Sequence, residues 1–343
     1  MTKMITKENV PDLLSKLTDY DIYAPNESGA LVSYKQLEKS VKSDPALEFS
    51  NSRKPPKEVF FPQTERMFDF TIEGSRITEV HEPERSNRSI LLFGSRPCDA
   101  RAATMLDTVF NWDYTDPYYV EKRKNAVVIS LGCKEPEDSC FCTSVGGSPS
   151  STAGSDMLWT DIGDRYVVEP ITGKGKAILA AGGDLFTDAG EADEAAATAC
   201  KEEAEANIKR HLSLDGVREA LEKSFESPYW KEFADRCIGC GICTLLCPTC
   251  HCFDINDVVT KGKAWRERTW DTCQDSYYSA HASGHNPRPG QASRQRNRIY
   301  HKFLYMDKNL DVIGCVGCGR CISGCPVNID IIEVVEGVKG AYE

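Results

Sequence analysis

Cys237-Ile-Gly-Cys240-Gly-Ile-Cys243-Thr-Leu-Leu-Cys247-Pro248 and its near-copy, Cys315-Val-Gly-Cys318-Gly-Arg-Cys321-Ile-Ser-Gly-Cys325-Pro326, decide how this chain is read. Each run spaces cysteines as C-x2-C-x2-C-x3-C-P. A cubane iron–sulfur cluster needs four thiolates at the corners of a tetrahedron, and a tight loop with cysteines at three-residue steps supplies three of them. Gly239, Gly241, Gly317 and Gly319 permit the sharp turns that this requires. In two-cluster ferredoxins the fourth cysteine of a run serves the other cluster. The expected ligand sets are therefore Cys237, Cys240, Cys243 and Cys325 for cluster 1, and Cys315, Cys318, Cys321 and Cys247 for cluster 2. Structural zinc prefers two C-x2-C pairs separated by a long loop, which fits two four-cysteine runs poorly. The reading is an oxygen-sensitive electron carrier with two [4Fe–4S] clusters.

Outward from these runs the chain changes character. It has 343 residues and a formal net charge of −11, from 41 basic and 52 acidic side chains. Residues 226–343 carry 14 of each sign, so the whole excess lies in residues 1–225. An acidic chain is a poor nucleic-acid binder. No stretch is apolar for long enough to span a membrane. The N-terminus, Met1-Thr-Lys-Met-Ile-Thr-Lys, does not read as a secretion signal. Sixteen cysteines clustered at short spacings favour metal over disulfides, and a cytoplasmic location.

The predicted fold class is α+β. A mixed α/β domain covers 1–225, and a bacterial-type two-[4Fe–4S] ferredoxin-like domain covers 226–343, with an insertion at about 254–312. A short amphipathic helix starts at Asn9. Strands are expected at Glu58–Phe61, Ser89–Gly94 and Ala126–Leu131, and a hairpin turns at Gly163-Asp164. Helices are expected at about 191–211 and 214–227, with a loop over 146–154. The segment from Trp265 to Lys302 has little periodicity and is expected to lie over the cluster core.

Four further cysteines sit in the first domain. Cys98 and Cys133 each follow a predicted strand, and Cys140 and Cys142 form a C-x-C nearby. Convergence at one sheet edge would make a third [4Fe–4S] site; the alternative is a set of unrelated loop thiols. Cys250, Cys252 and Cys273 could help bind a further metal but are read as small buried side chains beside the clusters, and Cys200 as structural. Gly173-Lys-Gly175 begins like a dinucleotide fingerprint, but Ile178 breaks it, so neither flavin nor NAD(P) is expected on this chain. Arg288, Arg294, Arg296, Arg298, His301 and Lys302 form a basic stripe that could dock an acidic partner or offset cluster charge.

Several stretches together resemble a known family. They are Phe61-Pro-Gln-Thr-Glu-Arg, Arg96-Pro-Cys-Asp-Ala-Arg, Ser139-Cys-Phe-Cys, Cys247-Pro-Thr-Cys-His-Cys-Phe-Asp, Gly284-His-Asn-Pro-Arg-Pro, Arg298-Ile-Tyr-His-Lys and Cys315-Val-Gly-Cys-Gly-Arg-Cys. The family comprises the beta subunit of soluble sulfhydrogenases and the electron-transfer iron–sulfur subunit of anaerobic sulfite reductase. The resemblance runs from about residue 58 to 333. It implies a non-catalytic electron-transfer component between a flavin subunit that handles NAD(P)H and a catalytic partner. That partner would be a hydrogenase, a sulfite reductase or a heterodisulfide-reductase-type subunit. It also implies that Cys98, Cys133, Cys140 and Cys142 hold an additional cluster. Two competing readings are a self-contained reductase, with an open iron site among those four cysteines, and a zinc-binding interaction protein.

Overall fold

The structure is a computed structural model. It describes residues 2–29, 31–38, 45–74, 76–83, 88–260 and 263–342. The strands are β1 (Lys3–Thr6), β2 (Tyr20–Ser28), β3 (Leu31–Gln36), β4 (Thr64–Glu73), β5 (Arg76–His81), β6 (Ser89–Ser95), β7 (Val127–Leu131), β8 (Met157–Asp161), β9 (Arg165–Pro170), β10 (Thr187–Asp188), β11 (Phe253–Thr260) and β12 (Lys263–Trp270). They form an eight-stranded sheet, β10-β1-β9-β8-β7-β6-β2-β3, and a four-stranded sheet, β11-β12-β4-β5.

The large sheet is parallel at its centre, where β2, β6, β7 and β8 run together, and antiparallel at both flanks. The centre is covered on both faces, which is why β7 reads as an unbroken apolar run. Val127, Ile129 and Leu131 face the core made with the helices Val10–Lys16 and Gly173–Gly182. Val128 points the other way, into Phe60, Phe61 and the helix Pro97–Phe110. Each fully buried large side chain, Trp159 or Phe93 for example, contributes about 1.5–3 kcal/mol. The expected hairpin is present as β8 and β9, which turn at Gly163.

Two expectations change. The helix Glu191–Ala206 ends before His211, and the next helix is only Val217–Lys223. Glu58–Phe61 is not a strand: Pro56–Val59 is a 3-10 turn, and Phe60 and Phe61 are buried against the helix Pro97–Phe110. A short apolar run cannot separate these outcomes, and Pro55-Pro56 withholds two backbone donors from any ladder.

The small sheet joins distant parts of the sequence. β4 pairs with β12 from the 254–312 segment. At its base Arg268 is almost fully buried, ion-paired with Glu65 and Asp116 and ringed by Phe61, Phe110 and Phe253. A second core gathers the helices Val217–Lys223, Tyr229–Ala234, Gln291–Tyr300 and Ile331–Tyr342 around Cys315 and its neighbours. Between Gln291–Tyr300 and Met306–Leu310 the helix takes one π turn, His301–Tyr305. Such single π turns re-aim side chains and occur often at functional positions.

Candidate metal centres

Cys237, Cys240, Cys243 and Cys325 line one small cavity, joined by Cys321 from the second run. Gly239 and Gly241 take φ of 70° and 72°, the left-handed turns that the tight loop needs. Gln295 Nε2 donates to Cys237 Sγ at 2.9 Å and Gln291 Nε2 to the same sulfur at 3.3 Å. The amide of Ile329 donates to Cys325 Sγ at 3.2 Å. Burial pushes Cys243 up to about 11, partly offset by the Arg298 guanidinium. Arg298 Nε and Gln295 Oε1, both on residues in this wall, are buried without a partner. A ring of thiols with an unsatisfied cationic donor fits an anionic thiolate-bound group. The outer lip is open: Cys240 is exposed, and Ile238 is 65% exposed.

Cys315 and Cys318 each lie within electrostatic reach of Cys247 and Cys321, the last of which also lines this cavity. The π turn aims buried Lys302 here. Its Nζ donates to Cys247 Sγ at 3.1 Å, to Thr249 Oγ1 at 3.0 Å and to the Gly314 carbonyl at 2.8 Å. Burial opposes the charge on Lys302, but the sulfurs of Cys247, Cys250 and Cys315 outweigh it and hold the ammonium protonated. Cys247 is correspondingly held well below the ordinary thiol range, by its hydrogen bond with Cys250 and, against burial, by Lys302 and Thr249. Burial pushes Cys315 up to about 11.

Cys98, Cys133, Cys140 and Cys142 come together around a third cavity, with Ser50, Asn51, Arg96, Gly317 and Cys318 in its wall. Cys98 opens the helix after β6, and Cys133 follows β7. Both therefore sit at the carboxyl edge of the parallel strands, where α/β sheets place their sites. Burial raises all four thiols, Cys140 and Cys142 to about 12. Asn51 Oδ1 and Arg96 Nε in this wall are buried and unpartnered. Arg96 Nη1 donates to the carbonyls of Leu131 and Gly132 at 3.2 and 3.0 Å, and its guanidinium stacks on Phe49 at 4.0 Å.

The third cavity is built directly on the second cysteine run. The Phe141 amide donates to the Gly317 carbonyl at 2.8 Å, and Asn51 Nδ2 donates to the Cys318 carbonyl at 2.9 Å. A Cβ on Gly317 would lie 2.6 Å from Cys142 backbone, and one on Gly319 would lie 2.2 Å from Ser139 Oγ. Arg320 locks the joint: it pairs with Asp99 through two bonds of 2.6 and 2.7 Å and donates to the Ser52 carbonyl and hydroxyl at 2.8 and 2.9 Å. The only sequence hint of this lock is that Arg320 stands where the first run has Ile242.

The basic stripe splits. Arg294, Arg298 and Lys302 are buried and face inward, whereas Arg296 lies against Phe225. Segment 47–53, which carries no recognisable motif, walls the third cavity through Ser50 and Asn51. Gly173 and Gly175 begin a helix capped by the Thr172 side chain, and a Cβ on Gly175 would lie 2.1 Å from the Asp156 carbonyl, so packing explains that glycine. Cys250 lies within electrostatic reach of Cys247, and Cys252 of Cys273; Cys200 is half-buried on Glu191–Ala206.

Residues 236–329 match the 4Fe-4S dicluster domain family, so the class of protein is a dicluster iron–sulfur protein. Over 334 residues, 97% of this chain and 96% of the relative, the sequence is 31% identical to sulfhydrogenase 2 subunit beta of Pyrococcus furiosus. The chain belongs to the sulfhydrogenase beta-subunit family.

Proposed function

We propose that this chain is a non-catalytic electron-transfer subunit with three [4Fe–4S] clusters in line. Cluster 1 would be held by Cys237, Cys240, Cys243 and Cys325. Cluster 2 would be held by Cys315, Cys318, Cys321 and Cys247, and cluster 3 by Cys98, Cys133, Cys140 and Cys142. Bound clusters supply one-electron couples; the protein supplies ligands, spacing and charge. The observation that carries the reading is the sharing of walls. Cys321 lines the first cavity and Cys318 the third, and both belong to the run between them. The middle site therefore touches both others, and the relay has two ends.

The first end is the open lip at Ile238 and Cys240. The other lies under segment 47–53 within the acidic domain. Two ends suit a subunit between a flavin subunit handling NAD(P)H and a hydrogenase, sulfite reductase or heterodisulfide-reductase-type partner. Four thiols around one cavity at the third site favour a closed cluster over the open iron of a self-contained reductase. Among the described residues no three Cys, His, Asp or Glu side chains converge tightly enough to chelate one metal ion. Thiols ringing a cavity suit a polynuclear group better than single zinc ions. No helix among those residues is long and apolar enough to cross a membrane.

The test is anaerobic affinity purification with iron and acid-labile sulfide counting and identification of the subunits that accompany the chain. Three clusters give about 12 iron and about 12 sulfide per chain, and two give about 8 of each. A colourless zinc protein, or a chain that travels without a partner, overturns the reading.

A further inference from the structure

The helix Gln291–Tyr300 turns Gln291, Gln295 and Arg298, successive turns of one face, toward the first cysteine run. Three N–H groups converge there on one sulfur. Gln295 Nε2 donates to Cys237 Sγ at 2.9 Å, Gln291 Nε2 at 3.3 Å and the Gly239 amide at 3.4 Å. The second run repeats the backbone member of this set, from the Gly317 amide to Cys315 Sγ at 3.5 Å. Among the described residues, the two glutamines are an addition at the first run.

Both amides are held with nitrogen toward sulfur. Gln291 Oε1 accepts from Arg294 Nη2 at 2.7 Å, and Gln291 Nε2 also donates to Gln274 Oε1 at 3.2 Å. Gln274 is fixed in turn, because its Nε2 donates to the Arg294 carbonyl at 3.2 Å. Arg294 is buried and anchored on the carbonyls of Arg288 and Pro289 at 3.2 and 2.8 Å. A flipped Gln291 would set its oxygen against Gln274 Oε1 and the sulfur, and its nitrogen against a guanidinium. Gln295 is 2% exposed, and its Oε1 is buried without a partner. An orphaned amide oxygen is costly, and methionine would fill similar space without that cost. The position therefore uses the donor end of the amide.

We propose that Gln295 and Gln291 are positioning residues that raise the reduction potential of the cluster on Cys237. The proposal rests on the assignment of Cys237 to cluster 1. An added electron increases the negative charge on the thiolate sulfurs. N–H dipoles already aimed at one of those sulfurs stabilise the reduced state more than the oxidised one. One electron arrives from the partner and one leaves; no protein bond forms or breaks and no proton moves. The first cavity has the open lip, with Cys240 exposed, so the two amides set how readily an electron rests at this end of the relay. Without them the electron shared with the middle site moves inward.

The test is a potentiometric titration of the anaerobically purified complex, followed by electron paramagnetic resonance, with iron and acid-labile sulfide counted on every variant. Gln295→Met, Gln291→Met and the double variant keep side-chain length and remove the donor. At a fixed ambient potential, the ratio of reduced to oxidised form of one cluster should fall at least about threefold in each single variant. In the double variant it should fall at least about tenfold, equivalent to about 59 mV for one electron. The other clusters should keep their potentials, and iron should match the parent. If one single variant loses iron, the other decides. The proposal is overturned if iron is kept and every ratio stays within about twofold of the parent, or if all potentials fall together. It is also overturned if both single variants lose iron, since the amides would then build the site rather than tune it. A parent without iron rejects the relay and this proposal with it. A parent with its clusters, matched by the variants, rejects the glutamine assignment alone.

Discussion

Replacing Lys302 by Met should lower the reduction potential of one cluster without unloading it. Lys302 Nζ is a buried ammonium 3.1 Å from Cys247 Sγ, and among the described residues no carboxylate pairs with it. A unit charge about 4 Å from another is worth about 4 kcal/mol at an effective dielectric constant of about 20. An electron added to a cluster spreads over all of its atoms, so its mean distance is greater, and roughly half of that interaction, about 2 kcal/mol, is the better figure. At about 59 mV per 1.36 kcal/mol for one electron, the shift is about 90 mV toward more negative values. Lys302→Arg keeps the charge and should recover most of it. The assay is a potentiometric titration of the anaerobic protein followed by electron paramagnetic resonance, with iron counted on each variant. If the Met variant retains its iron and every potential stays within about 20 mV of the parent, the reasoning fails. If iron is lost in Met but kept in Arg, Lys302 holds Cys247 in place rather than tuning it.

Four other outcomes follow from the same geometry. Cys98→Ser and Cys133→Ser should each lower iron from about 12 to about 8 per chain, with the dicluster resonance signals kept. Asp99→Asn leaves the buried Arg320 with half its partner and should cost about 3–5 kcal/mol, read as a lower denaturant midpoint. Gly319→Ala needs a side chain at φ 72° and within 2.2 Å of Ser139 Oγ; strain and overpacking together should cost about 2–5 kcal/mol, and iron at the third site should fall with it. Burial lowers His251 to about 4 and His301 to about 3, so both are neutral in the fold at pH 7 and neither costs stability there. Below the unfolded value of about 6.5 the unfolded chain takes up the protons first, so stability falls as pH drops from about 6.5 toward 4. Each histidine contributes at most about 1.4 kcal/mol per pH unit to that slope, and His301→Gln should remove its share in denaturant titrations across the window.

How much of this was legible beforehand depended on how local each signal is. The cysteine runs carry their geometry within about a dozen residues, so sequence spacing alone suggested the ligand sets. β7 announced itself because a strand covered on both faces must be apolar throughout, whereas β4 and β5 are largely exposed and polar and gave no run to notice. Their pairing with β12, some two hundred residues away, has no local signature at all. Lys302 and Arg298 appeared only as members of a basic stripe. Which of its charges turn inward is decided by a single π turn, and sequence periodicity does not report one. The Gln274, Gln291 and Gln295 amides were likewise invisible, since a glutamine has no meaning until the sulfur that it faces is known.

The joint locked by Arg320 has a consequence for biosynthesis. Gly317 and Gly319 press against the Phe141–Cys142 and Ser139 backbone, while Arg320 reaches into Asp99 and Ser52. The joint therefore cannot close until residues 317–320 have been made, long after residues 52–142, and a product truncated before Cys315 should lack it altogether.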